Sequence, residues 1–170
     1  MKITNIINEV IPKKPVAKAV TMATYWEENN VKYYLKKNEV FFRQEEINVN
    51  MNIARWFTEV TGRPVQLQPV VLNPKGIKTC DFILTDDMTK VELKTFNIKQ
   101  FHENKNYIDM KLGEGYGQAN DFIVDITDTE ITPEKAMKDI ESSFQRENRR
   151  FVRRIYLKSS DTLIGIFERE

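Results

Sequence analysis

The chain has 170 residues, 41% of them hydrophobic, and a formal net charge of +1. That is enough for one ordinary domain with a single core, and too even a charge for a strongly basic nucleic-acid binder, although local basic patches stay possible. One cysteine, Cys80, and one histidine, His102, exclude an internal disulfide framework, a cysteine-rich zinc site and a histidine-clustered metal site; no stretch approaches a membrane span and no apolar signal region opens the chain, so a soluble protein is expected.

Residues 1–38 are polar and lysine-rich and read as a helical accessory segment. An apolar patch at Ile3, Ile6, Ile7 and Val10 is interrupted by Ile11-Pro12 and Lys14-Pro15, and a helix is predicted from Val16 to Asn29-Asn30. The aromatic residues Tyr25, Trp26, Tyr33 and Tyr34 have the chemistry to stack on bases, but such residues more often pack on a core. Residues 39–170 form the main domain. From Asn38 to Thr61, Val40, Phe41, Ile47, Met51, Ile53, Ala54, Phe57 and Val60 recur at helical spacing, and Thr61-Gly62 supplies the stop. The polar face of this helix carries Glu45, Glu46, Asn50 and Arg55, with Glu46 and Asn50 one turn apart. Val65 to Val71 alternates as a strand, and Asn73-Pro74-Lys75-Gly76 is turn chemistry.

Thr79 to Asn97 reads as a β-hairpin, with strands Cys80–Leu84 and Lys90–Phe96 separated by Thr85-Asp86-Asp87-Met88-Thr89. Alternation puts Glu92 and Lys94 on one face. If the loop is Asp86-Asp87, Asp81 sits opposite Glu92; if it is the four residues Asp86 to Thr89, Asp81 sits opposite Lys94; a slip of one residue would turn Asp81 to the other side. Two opposed carboxylates, with Cβ atoms about 4.5–5.5 Å apart, are close enough to hold one cation, and oxygen ligands suit Mg²⁺ or Mn²⁺. A neighbouring lysine would then orient a water or stabilise charge on a phosphate, which is an arrangement for phosphodiester hydrolysis. An acid-x-Lys triplet arises by chance about once or twice in a chain this charged, and Glu103-Asn104-Lys105 and Asp109-Met110-Lys111 are two more. Only Glu92-Leu93-Lys94 lies inside an apolar strand beside a strand opened by an acid. The competing reading is a solvated hairpin with a cross-strand ion pair.

After the hairpin, residues 101–112 are polar with a weak apolar stripe, His102 is a surface residue near a helix start, and Gly113-Glu114-Gly115-Tyr116-Gly117 reads as a flexible connection, lacking the context of a phosphate loop. Cys80 and His102 have no third orienting group to make a nucleophile and base. Asp121 to Ile126 is a central strand by its nearly continuous apolar run. Thr132-Pro133 starts a helix, which carries Ala136, Met137, Ile140 and Phe144 and runs into the basic stretch Arg146, Arg149, Arg150, Arg153 and Arg154. That stretch has the chemistry to hold a phosphate backbone, or is a solvated helix end. Two strands, Val152–Leu157 and Thr162–Phe167, close the chain around a turn. A mixed α/β fold follows, its sheet covered on at least one face.

Five segments together resemble the PD-(D/E)xK nuclease superfamily: Asn50–Phe57 on the first core helix, Cys80-Asp81-Phe82-Ile83, Val91-Glu92-Leu93-Lys94-Thr95, Gly117-Gln118-Ala119-Asn120 and Ile123-Val124-Asp125-Ile126. The chain is most similar to the tRNA-cleaving toxin domain at the C-terminus of contact-dependent growth inhibition proteins, from about Val40 onward. The resemblance implies a restriction-endonuclease-like core, Asp81 and Glu92 as metal ligands, Lys94 as the catalytic lysine, Thr95 helping to hold the site, and Gln118 carried towards the active face by a helix. It implies a first-helix acid near the metal as well. Glu46 is the acid available there, one turn before Asn50, which occupies the aligned position. It further implies Mg²⁺ or Mn²⁺, a tRNA substrate in preference to DNA, action in the cytoplasm after delivery as part of a larger secreted protein, and a cognate immunity protein. A non-catalytic nucleic-acid-binding module and a protein-interaction module are the alternatives from other classes.

Overall fold

The structure is a computed structural model that describes residues 2–4, 20–22, 25–28, 31–34, 40–41, 44–68, 70–71 and 78–170. Its elements, in chain order, are β1 (Lys2–Thr4), β2 (Val20–Met22), β3 (Tyr25–Glu28), β4 (Val31–Tyr34), β5 (Val40–Phe41), α1 (Gln44–Thr61), β6 (Val65–Leu67), β7 (Val70–Val71), β8 (Phe82–Leu84), β9 (Thr89–Lys94), α2 (Tyr107–Glu114), β10 (Asp121–Asp125), α3 (Pro133–Phe144), β11 (Arg154–Ser159) and β12 (Thr162–Glu168). This is a mixed α/β fold with both parallel and antiparallel pairs. The chain divides into two compact units, Ile11–Val91 and Glu92–Glu170 with Met1–Val10, and β9 runs across the division.

In the unit Ile11–Val91 the strand order is β9-β8-β6-β2. The helix α1 packs on β6 and β2, burying Ile53, Ala54, Trp56 and Phe57 while Asn48, Asn52, Arg55 and Glu59 are exposed, as the apolar spacing requires. It stops where expected: Gly62 takes φ 71°, a left-handed conformation that costs glycine little, and its N–H donates to the Thr58 carbonyl at 2.8 Å.

Several expectations need correction in this unit. Residues 20–22 and 25–28 are strands, not a helix, and β3 pairs with β4 in the register Tyr25↔Tyr34 and Trp26↔Tyr33; such short segments fit either period, and pairing with a neighbouring strand outweighs the weak helical spacing. Val40 and Phe41 form a strand paired with β7, and α1 begins only at Gln44. The strand read from Val65 to Val71 is two strands that pair with different partners, β6 with β8 and β7 with β5, since proline at 69 has no N–H for a continuous ladder. The turn at residues 73–76, most of the apolar patch at residues 3–10, the prolines at 12 and 15, and the expected boundary at residues 38 and 39 lie outside the described residues.

In the unit Glu92–Glu170 with Met1–Val10 the order is β1-β12-β11-β10-β9. Strand β10 is buried along its whole length, which agrees with its apolar run. It pairs in parallel with β11, and α3 is the crossover between them. Phe122, Val124, Ile155, Leu157 and Phe167 meet α2 and α3 in one core with Ile108, Leu112 and Ile140. The start of α3 follows its sequence: Thr132 Oγ1 accepts from the Lys135 N–H at 3.2 Å and Pro133 occupies the first turn. Its end is held by Arg169, whose guanidinium lies over the Phe144 ring and donates to the carbonyls of Phe144 (2.7 Å), Arg149 (3.0 Å) and Val152 (3.0 Å). The glycine run is not simply a connection. Gly113 is helical, and a Cβ at Gly115 would stand 2.4 Å from the Phe122 ring, so glycine there permits close packing.

Candidate active site

The hairpin forms with strands shorter than the sequence pattern suggests, because Cys80 and Asp81 precede β8 and Thr95 follows β9. Its pairs are Phe82↔Val91, Ile83↔Lys90 and Leu84↔Thr89, the register centred on Asp86-Asp87, although the turn takes the four residues 85–88 and not Asp86-Asp87 alone. In this register the loop acids are paired. Arg63 donates to both Asp86 oxygens, at 2.9 and 2.8 Å, and approaches Asp87 at 2.8 Å; the Thr89 N–H donates to Asp87 at 2.9 Å. The hydrogen bonds from Arg63 lower the Asp86 pKa, and hydrogen bonding with Thr89, helped by the Arg63 charge, lowers that of Asp87 to about 2.

Glu92 and Lys94 share one face of β9, as alternation requires. Lys94 Nζ donates to Glu92 Oε1 at 3.3 Å, and both residues are buried, 6% and 9% exposed. A solvated hairpin surface is therefore not what this strand presents. A buried acid and base are retained only when charge and hydrogen bonds are matched, and a lysine held in this way has a defined orientation. An ammonium has three N–H donors, so its bond to Glu92 leaves capacity for a phosphate oxygen or a water.

The other candidate residues are placed as follows. Asp81 is half-buried in the bend before β8, and its carbonyl accepts from the Gln68 N–H at 2.9 Å. Glu46 lies in the first turns of α1 and Asn50, half-buried, one turn later. These three residues belong to the unit Ile11–Val91, and Glu92, Lys94, Thr95 and Gln118 to the other. Thr95 is exposed just beyond β9. Gln118 is half-buried in the turn after α2, not on a helix as expected, because α2 ends at Glu114 and the turn closes through the Gln118 N–H to the Gly115 carbonyl at 3.0 Å.

The five arginines separate into two groups. Arg149 is largely enclosed and binds Asp109, itself 4% exposed, through Nε at 3.1 Å, while Arg146 reaches the same carboxylate at 2.8 Å. Arg154 binds Glu168 at 2.7 Å and the Tyr156 hydroxyl at 3.3 Å. Burial opposes its charge, but Tyr156, Glu168 and Asp121 outweigh that and raise its pKa. Among the described residues Arg150 pairs with exposed Glu147, at 2.6 Å, and Arg153 is exposed. Sequence reasoning missed Asp109 as an anchor, dismissing its triplet as chance; its place three residues after the capping Asn106, on the buried side of α2, was the available signal. It also missed the buried pair Asp125 and Lys158, 3.2 Å apart.

Comparison of the chain with protein-family models, with curated proteins and with solved structures gives no match. Among the described residues no group of three or more His, Cys, Asp or Glu side chains is gathered around one point, and no helix is long and apolar enough to cross a membrane. Carboxylate oxygens, such as Asp81 and Glu92 each carry, are the donor type that a hard divalent cation takes.

Proposed function

We propose that this chain is a metal-dependent endonuclease with a PD-(D/E)xK-like core, that it hydrolyses phosphodiester bonds in RNA, with tRNA the substrate tested first, and that it acts as a toxin domain. The observation that carries the reading is the buried Glu92–Lys94 pair on one face of β9, in a hairpin whose register is the one centred on Asp86-Asp87. Asp81 and Glu92 are the residues that would hold Mg²⁺ or Mn²⁺, which when bound supplies charge neutralisation at the phosphate and a more acidic water. Glu92 orients the Lys94 ammonium, and Lys94 stabilises charge developing on the phosphoryl oxygens or positions the attacking water. Thr95 and Gln118 have supporting roles in this reading, and a cognate immunity protein is the partner it implies.

The test is incubation of purified protein with total tRNA and with duplex DNA in Mg²⁺, in Mn²⁺ and in EDTA. Cleavage of tRNA is expected only with a divalent ion, and Lys94→Ala or Asp81→Ala should reduce it by at least about 100-fold, the loss of one transition-state electrostatic contact, with the circular dichroism spectrum unchanged. Lys94→Ala cutting at the wild-type rate overturns the proposal. Cleavage confined to DNA changes the substrate and keeps the chemistry.

A further inference from the structure

We propose that Tyr116, Arg150 and Arg153 form a binding surface for an unpaired, single-stranded stretch of nucleic acid, with a base stacked on Tyr116 and phosphates on the two arginines. The inference rests on the nucleic-acid substrate proposed above, and not on the cleavage chemistry. Tyr116 is 66% exposed, the most exposed large hydrophobic side chain among the described residues. It is nevertheless fixed in place: its ring meets Phe151 edge-on at 5.2 Å, and Phe151 meets fully buried Phe122 at 6.2 Å, so a chain of rings runs from the core to the surface. Gly115 lets the turn bearing Tyr116 lie against Phe122.

The same contacts bring the backbone that carries the two arginines to this turn. Arg150 immediately precedes Phe151, and the Arg153 N–H donates to the Asn120 carbonyl at 2.8 Å, joining its segment to the turn between α2 and β10. Arg149 is not available, because it is enclosed against Asp109 and Gly113. Arg150 is 73% exposed, and its partner Glu147, 78% exposed, forms the kind of surface pair that contributes little and exchanges readily for a phosphate. The nearby acid Glu114 is paired with Lys111. An exposed aromatic ring packed on Phe151, with exposed arginines on the same segment as Phe151, is the composition of a single-strand platform; a duplex hides its base faces and has no use for the ring.

The test is fluorescence anisotropy in EDTA, where cutting is suppressed, using a labelled unstructured 15-nucleotide RNA and the same sequence as a duplex. Tyr116→Ala is expected to weaken single-strand binding by about 5- to 150-fold, the range of one lost stacking contact, while Tyr116→Phe stays within about twofold and duplex binding is unchanged. Replacing Arg150 and Arg153 together by alanine should reduce the slope of log K against log salt by about 1.4. Wild-type affinity in Tyr116→Ala, equal losses for single strand and duplex, or no single-strand binding by the wild type would each overturn the inference. Binding that depends on Tyr116 without cleavage in any metal would uphold it and defeat the nuclease reading; Lys94-dependent cleavage with binding indifferent to Tyr116 would do the reverse.

Discussion

Arg63, half-buried, joins the two acids of the hairpin loop. Its guanidinium spans Asp86 and Asp87, two like charges that would otherwise repel in the hairpin loop. Both carboxyls have folded pKa values below the usual 3.8, Asp87 near 2. Depressed carboxylate pKa values give stability that is present above about pH 4 and lost as the pH falls towards 2. The groups are exposed, so the effect is small, within about 1 kcal/mol. The urea midpoint of wild type should exceed that of Arg63→Ala by a nearly constant margin from pH 6 to about pH 4, and the margin should shrink steadily as the pH falls from 4 to 2. A margin that stays unchanged from pH 4 to pH 2 would show that Arg63 acts through packing.

At the scale of elements, the parallel pairing of β10 with β11 carries an acid opposite a base at both ends. Asp121 faces Arg154 and Asp125 faces Lys158 in register. Lys158 donates to Asp125 at 3.2 Å and to Thr127 at 3.4 Å, and Thr127 in turn bonds Asp125 and accepts from the Ser160 N–H at 2.8 Å. The network ties the loop after β10 to the turn between β11 and β12. Asp125→Ala leaves a buried ammonium without its carboxylate and should cost about 3–5 kcal/mol in urea unfolding. Asp125→Leu combined with Lys158→Met removes both charges and should recover most of that loss. If the double variant is as unstable as the single one, the Thr127 and Ser160 bonds carry the stability instead of the ion pair.

At the scale of the molecule, burial is uneven. Strand β10 lies between β9 and β11 and is buried at every residue, whereas residues 85–88 of the hairpin loop are exposed. Amides that open only on global unfolding exchange slowest, so hydrogen exchange followed by mass spectrometry should find β10 among the slowest segments and residues 85–88 among the fastest. Fast exchange in β10 would remove it as the centre of its unit. This centrality was legible in advance, because a strand covered on both faces has no solvent side to mark with polar residues. The strands at residues 20–22 and 25–28 were not legible, because short polar segments with scattered aromatic residues fit either period, and pairing with β6 or β4 decides between them.

Local chemistry alone determined the core of α1 and its glycine stop, the capped start of α3, and the shared face of Glu92 and Lys94, since each depends on residues within one turn of helix or along one strand. Tertiary structure decided which even register the hairpin adopts; Arg63, 23 residues before Asp86, meets the loop in that register. It also decided which arginines of the basic run are surface cations and which are anchors. Arg146 and Arg149 meet Asp109 across 37 and 40 residues, and Lys158 meets Asp125 across 33. Nothing in the spacing of a charge run shows which members will be buried, because a buried charge depends on a partner brought to it by the fold.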